Sequence, residues 1–297
     1  MIASELATPR NIRIISAASC VGAPDPACSE GPDVLRHYHV FHDTPLQHVA
    51  WDAVLRAPRQ RQATPLHAVA SLCTRLVEEV EFVLREGHFP LVVGGDHSCA
   101  IGTWGGVHRA LAGQGPIGLV WIDAHMDSHT FTTSPSGRIH GMPLACLLGQ
   151  GDPALTAIGG PEVKLHPQHV CLIGVRSYET GEAELLHRLG VRIFDMDEIQ
   201  RRGLNTVFDE ARAIVRQGTA GFGVSVDLDA LDPVDAPGVG SPVPNGIRSV
   251  ELAAALSHLR RDPAFVAMEI AEYNPRRDRG HVTADVVGAL IDAITPR

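Results

Sequence analysis

No apolar run in this 297-residue chain approaches the ~18–20 residues needed to span a bilayer, so no membrane-spanning helix is expected. The first segment, MIASELATPRNIRIIS, lacks a basic stretch followed by an apolar core and a small-residue cleavage site, so no export leader is expected either. Basic charge is scarce. The 25 Lys and Arg set against 34 Asp and Glu leave −9 with His neutral, which argues against a nucleic-acid partner or an anionic membrane surface. The chain also has no Cys-x-x-Cys pair. Its six cysteines (Cys20, Cys28, Cys73, Cys99, Cys146, Cys171) are scattered, and a chain of this size needs no disulfide scaffold, so a cytoplasmic location is expected. Repeats, low-complexity tracts and composition breaks are absent as well, which points to a single domain over 1–297. At 44% hydrophobic and 20% charged residues the composition is that of a globular protein, not a disordered one. One residue is in excess: 16 histidines make a metal site worth looking for.

Short apolar runs alternate with stretches of helical period. Candidate strands are Ile12–Ala17, Pro90–Val93, Gly118–Ile122, Val170–Ile173, Arg192–Phe194, Gly221–Val226 and Phe265–Ile270. Most are apolar throughout, as parallel strands covered on both faces are. Candidate helices are Thr64–Glu86, Ile101–Ala112, Gly141–Leu148, Gly181–Leu189, Leu204–Gln217, Val250–Arg261 and Ala284–Ile294. In the first, Val69, Leu72, Leu76, Val80 and Val83 share one face. Such alternation predicts an α/β fold with a central, mainly parallel sheet flanked by helices on both faces. The stretches 20–60, 127–140 and 232–248 read as long loops, and long loops in compact domains tend to carry function.

Open α/β sheets hold ligands beyond the carboxyl ends of their strands. Three candidate strands run straight into metal-ligand residue types. LVVGGDHS supplies Asp96 and His97; GLVWIDAHMDSH supplies Asp123, His125, Asp127 and His129; GFGVSVDLDALDP supplies Asp227, Asp229 and Asp232. The i, i+2, i+4 spacing on an extended chain would turn Asp123, His125 and Asp127 to one side and onto one point, with Asp227 and Asp229 meeting them from a nearby strand. Packing such carboxylates without partners costs several kcal/mol each, and a cation removes that cost. A lone Asp at a strand end is more often a cap or turn residue, which suits Asp96 and Asp232. Isolated histidines such as His37, His39 and His48 read as surface residues.

Two imidazoles and four carboxylates (His97, His125, Asp123, Asp127, Asp227, Asp229) are too many ligands for one tetrahedral zinc. An oxygen-rich set suits harder ions such as manganese, and two ions ~3.5–4 Å apart with a hydroxide between them would use it fully. Two divalent ions, four carboxylates and a hydroxide sum to −1. Such a centre favours a cationic substrate attacked at a positively charged carbon.

GGDHS, DAHMD, SPSGRIHGMP, SVDLDALDP and EYNP, in this order, resemble the arginase or ureohydrolase family, and VGAP…EGPDVLR resembles that family's first loop. The resemblance runs from about Val21 to the end of the chain. It implies two manganese ions, with cobalt or nickel as substitutes, held by His97, Asp123, His125, Asp127, Asp227 and Asp229. It further implies a metal-bridging hydroxide that attacks a guanidinium carbon to release urea. Asp127 would hydrogen-bond that hydroxide, His140 would shuttle the proton, and Glu272 would pair with the guanidinium. These roles suit the side chains: histidine titrates near neutrality, and a carboxylate can hold a planar guanidinium through two bonds.

Within the family, HGMPLA, Ser136 and RSYETGEAE resemble the arginase branch, with Ser136 toward an α-carboxylate and Glu179 and Glu182 toward an α-ammonium. His129 and Arg138 stand where that branch usually has Asn, and Glu179 stands where it has Asp. The reading that results is hydrolysis of L-arginine to L-ornithine and urea. Agmatine, guanidinobutyrate or a similar guanidino compound is the alternative, and a catalytically silent metal-binding paralogue is the alternative of another class. A two-metal phosphoesterase would require Lys or Arg clamps, and the clusters hold none. The resemblance also implies a homo-oligomer, trimer or hexamer.

Overall fold

The computed structural model describes residues 11–38, 48–58 and 64–296. Its centre is one sheet of eight strands: β1 (Ile12–Ala18), β2 (Val49–Arg56), β3 (Phe89–Gly94), β4 (Ile117–Ile122), β5 (Leu165–Val175), β6 (Arg192–Asp195), β7 (Gly221–Asp227) and β8 (Phe265–Ala271). They lie in the order β2-β1-β3-β8-β7-β4-β5-β6, and every pairing is parallel. Parallel neighbours need crossovers, and the helices supply most of them. These are α1 (Gly31–Arg36), α2 (Pro65–Arg85), α3 (Ala100–Ala110), α4 (Pro143–Leu147), α5 (Pro153–Thr156), α6 (Thr180–Leu189), α7 (Met196–Arg202), α8 (Leu204–Arg216), α9 (Ser249–Ser257) and α10 (Val282–Ile294).

The pleat sends alternate side chains into two cores. Leu91 and Val93 of β3 pack on one face with Phe208 of α8, Leu256 of α9 and Leu290 of α10. Val92 packs on the other with Leu76 and Val80 of α2 and Trp104 of α3. Both faces are covered, so the strands are apolar throughout. Helix α2 begins where Thr64 caps it by accepting from the His67 N–H at 3.2 Å, with Pro65 in the first turn, and it buries the predicted face. A Cβ on Gly102 would lie 2.8 Å from the Cys73 carbonyl, so only glycine lets α3 approach α2 this closely.

The expected strands and helices all occur, with ends shifted by a few residues. The stretch 20–60 corrects the loop reading, because it contains α1 and β2. Among the described residues, strand β2 pairs only with β1 at the sheet edge, and its residues are mostly half-buried or exposed. Such a strand carries no continuous apolar run to betray it. Helix α7 also had no counterpart in the sequence reading; Asp195 caps it by accepting from the Glu198 N–H at 2.7 Å. His37 and His48 are exposed, and His39 lies outside the described residues.

The order of the strands positions the site. GGDHS follows β3, EYNP follows β8, DLDALDP continues from β7, and DAHMD follows β4. These four strands are consecutive in the sheet, so motifs far apart in the chain meet at one rim.

Candidate metal centre

At the end of β3 the chain turns through Gly94-Gly95 with no room for a side chain: a Cβ on Gly95 would sit 1.9 Å from the Ser19 carbonyl. Asp96 then caps the next turn, accepting from Ser98 N at 3.0 Å and from Gly22 N at 3.0 Å. It ties the first loop to the site, the capping role expected of it. Asp232 likewise accepts from Val234 N and Gly246 N and closes a turn.

His97 is fully buried, its ring stacked on Trp121 with centroids 4.2 Å apart. Its Nδ1 lies 3.0 Å from Asp227 Oδ2, 3.1 Å from Asp127 Oδ2 and 3.5 Å from Asp123 Oδ2. Behind it, Nε2 lies 3.0 Å from Ser225 Oγ. His125 Nδ1 lies 3.2 Å from Asp229 Oδ2 and 3.5 Å from Asp123 Oδ1. Two donor groups result, His97–Asp123–Asp127–Asp227 and Asp123–His125–Asp229, and they share Asp123.

This corrects the expected convergence on one point. Strand β4 ends at Ile122, so Asp123, His125 and Asp127 sit on a loop rather than an extended chain. Asp127 takes φ 45°, in the left-handed region, and that turn sends its carboxylate to the His97 group while His125 goes to the other. Glu272 has φ 68°. A non-glycine residue there costs about 1–3 kcal/mol, and such strain gathers at functional positions.

The donor set fits two cations. Although three carboxylate oxygens lie within 3.5 Å of His97 Nδ1, none is a hydrogen-bond partner of that buried atom. Oxygens disposed around a nitrogen but off the line of an N–H bond are arranged to share an ion. Protonation tells the same story. Burial pushes the His97 and His125 imidazoles down, yet the surrounding carboxylates raise both well above their ordinary value. Burial and Asp229 drive Asp227 up strongly, and burial lifts Asp229 to about 6. Asp123 is held low by His125 and His97 against the effect of burial. Burial and mutual repulsion among these carboxylates are costs that bound cations would relieve.

At the rim, His140 Nδ1 lies 3.3 Å from Glu272 Oε1, and the other side of that carboxylate's work is structural: Oε1 also accepts from His97 N at 3.0 Å. Burial opposes protonation of His140, but Glu272 prevails and lifts it to about 9. A cleft of about 220 Å³ opens above, lined by His125, Asp127, Asp227 and Asp229 at its floor and His140 at its side. Its mouth brings together His129, Ser136, Arg138, Glu179 and Glu182. Ser136 and Arg138 are exposed, and Ser136 Oγ accepts from Arg138 N at 3.2 Å. Glu182 is buried and its carboxyl is pushed up to about 8, chiefly by burial. Of the thirteen candidate site residues, ten line this cleft, His97 and Asp123 are buried beneath it, and Glu272 lines the adjoining cleft together with His140.

Three contributors escaped the sequence reading. Arg176 spreads its guanidinium over the carbonyls of Gly174, Asp229, Ala230, Leu231, Val243 and Pro244. Trp121 donates to Asp123 Oδ2 at 2.9 Å, and Ser225 backs His97. Trp121 and Ser225 read as ordinary strand residues. Arg176 immediately follows β5, beside the rim, and opens the RSYETGEAE motif, which was noted in the sequence only for Glu179 and Glu182.

Over residues 10–295 the chain matches the model of the arginase family. It is 45% identical over 229 residues to an arginase of Bacillus caldovelox, covering 77% of this chain and 76% of that one. With an arginase of Brevibacillus brevis it shares 38% identity over 295 residues, 96% of this chain and 97% of the other. The solved structure of the Bacillus caldovelox arginase superposes with a TM-score of 0.90 at 38% identity, over 98% of this chain and 99% of that one. Ordered motifs, a shared fold and identity along nearly the whole chain lead to one conclusion: this chain belongs to the arginase family.

Proposed function

We propose that this protein hydrolyses L-arginine to L-ornithine and urea at a centre of two divalent ions. His97, Asp123, Asp127 and Asp227 would hold one ion and Asp123, His125 and Asp229 the other. The oxygen-rich set suits manganese, with cobalt or nickel as substitutes. Bound there, two such ions lower the pKa of water and so supply a nucleophile near neutral pH.

The chain's own residues do the rest. Glu272 faces the guanidinium as a fixed anion and orients its carbon for attack. Asp127 accepts a hydrogen bond from the attacking water. His140, whose Nδ1 stands beside Glu272, carries a proton to the leaving nitrogen as the carbon–nitrogen bond breaks, so ornithine departs as a protonated amine. At the mouth, Ser136 and Arg138 receive the α-carboxylate, and Glu179 and Glu182 the α-ammonium, with His129 beside them. The observation that carries the reading is the pair of donor groups sharing Asp123 at the floor of a cleft that His140 lines.

A second reading, a guanidino acid without an α-ammonium, is favoured by one contact: His129 Nε2 already engages Glu179 Oε2 at 3.0 Å. A urea-release screen of arginine, agmatine and guanidinobutyrate with manganese separates the two. Agmatine lacks the carboxylate, and a missing charge-assisted bond is worth ~1.5–3 kcal/mol, or roughly 10–150-fold in kcat/KM. Arg138→Ala should lose much of that preference. If guanidinobutyrate is the best substrate, the arginine reading fails. The family resemblance supports a cytoplasmic homo-oligomer, trimer or hexamer; among the described residues no helix is long and apolar enough to cross a membrane.

A further inference from the structure

We propose that His129, Glu179 and Glu182 form a third divalent-cation site at the mouth of the cleft, suited to Zn²⁺, whose occupant competes with the substrate's α-ammonium. The competition, though not the site, rests on the function proposed above.

A hydrogen bond between His129 and Glu179 holds these side chains together, at spacings that a coordination sphere would share. His129 Nε2 lies 3.0 Å from Glu179 Oε2 and 3.4 Å from Glu182 Oε2, and one donor atom from each residue lies within 4.8 Å of the others. A tetrahedral ion with bonds of ~2.1 Å spaces its ligands ~3.4 Å apart. The nitrogen–oxygen spacings in the two groups at the cleft floor, 3.0–3.5 Å, are of the same size.

The imidazole is also supported as a ligand would be. A ligating histidine has its outer nitrogen held by a second polar group, which fixes the ring and its tautomer. His129 Nδ1 faces Thr133 Oγ1 at 3.1 Å, just as His97 Nε2 faces Ser225 Oγ at 3.0 Å. Each ring has a hydroxyl behind it and carboxylates in front. Glu182 is equally prepared, with Oε1 accepting from Ser128 N at 3.2 Å and Oε2 from Glu179 N at 3.1 Å. Glu179, with 61% of its side chain exposed, leaves an entry path from solvent. One nitrogen and two carboxylate oxygens with an open fourth position are a set that zinc accepts. None of the three residues belongs to the groups at the floor. An ion there would occupy both carboxylates that the ammonium requires.

The test is equilibrium dialysis of manganese-loaded protein against Zn²⁺ with manganese in excess, with both metals counted. The expected result is one zinc per chain with two manganese ions retained. His129→Asn and the surface substitution Glu179→Gln should each weaken zinc binding by at least ~10–100-fold, the cost known for losing even an outer partner of a ligand. Zinc should raise KM for arginine without lowering kcat. No third equivalent, zinc entering only as manganese leaves, or unchanged zinc affinity in both variants would each overturn the site. Zinc bound as a third equivalent without competition upholds the site and overturns only the ammonium's place.

Discussion

Replacing Arg176 with Met removes the guanidinium that locks three segments together while keeping an unbranched side chain of similar length. All three guanidinium nitrogens are committed: Nε to Pro244 O at 3.1 Å, Nη1 to Gly174 O and Ala230 O at 3.1 Å each, and Nη2 to Asp229 O and Val243 O at 2.8 Å each with Leu231 O at 3.3 Å. A hydrogen bond from a charged donor contributes ~1.5–3 kcal/mol singly, but these share one side chain and do not add. Arg176 is half-buried and its partners are neutral carbonyls; leaving several of them unsatisfied at ~1–3 kcal/mol each, without adding in full, sets the expected loss at ~3–5 kcal/mol. At ~2 °C per kcal/mol for a chain of this size, melting should fall by ~6–10 °C. Because Asp229 and its neighbours are among the residues held, manganese should also dissociate faster. Arg176→Lys should recover only part of both effects, since an ammonium cannot fan out to so many carbonyls. Calorimetry of metal-free protein reads the first effect, and manganese release into chelator reads the second. A metal-free Arg176→Met protein melting within ~2 °C of the parent, with unchanged manganese release, would refute the reasoning.

Chelation should abolish urea production and manganese should restore it, and His97→Ala or Asp229→Ala should bind fewer than two ions per chain by metal analysis. His140→Ala should instead keep both ions while kcat falls by ~10²–10⁴, the range for a general acid–base residue; loss of metal would mean that it is a ligand. In metal-free protein, His140 should titrate at about 9 by NMR, and filling the site with a diamagnetic divalent ion should lower that value by Coulomb repulsion. A histidine whose pKa is raised in the folded state stabilises fully below its unfolded value of ~6.5, and that contribution disappears as pH rises through about 9. Melting of metal-free His140→Gln should therefore decline less between those limits than melting of the parent.

Much of this molecule was legible before its structure. The buried strands β3, β4 and β7 declared themselves as short apolar runs, and α2 by the spacing of Val69 to Val83, because burial on two faces or on one stripe leaves a local pattern. The ligand types sat at strand ends, where an aspartate with no other purpose is costly. Strand β2 was illegible for the opposite reason: an edge strand with partly exposed faces leaves no such pattern.

What the sequence by itself determined, then, was the alternation of strands and helices, the residues that carry charge to one rim, and the family those motifs belong to. Tertiary structure alone decided that β3, β8, β7 and β4 lie side by side, so that residues as distant in the chain as His97 and Glu272 touch. It also divided one ligand set into two groups through the left-handed turn at Asp127, and set Arg176 beneath the Asp229 loop. It placed His129 between Glu179 and Glu182. The reason is physical. A pattern of burial is written residue by residue, whereas strand order and loop conformation are settled by contacts between segments, and no short window of sequence holds both sides of such a contact.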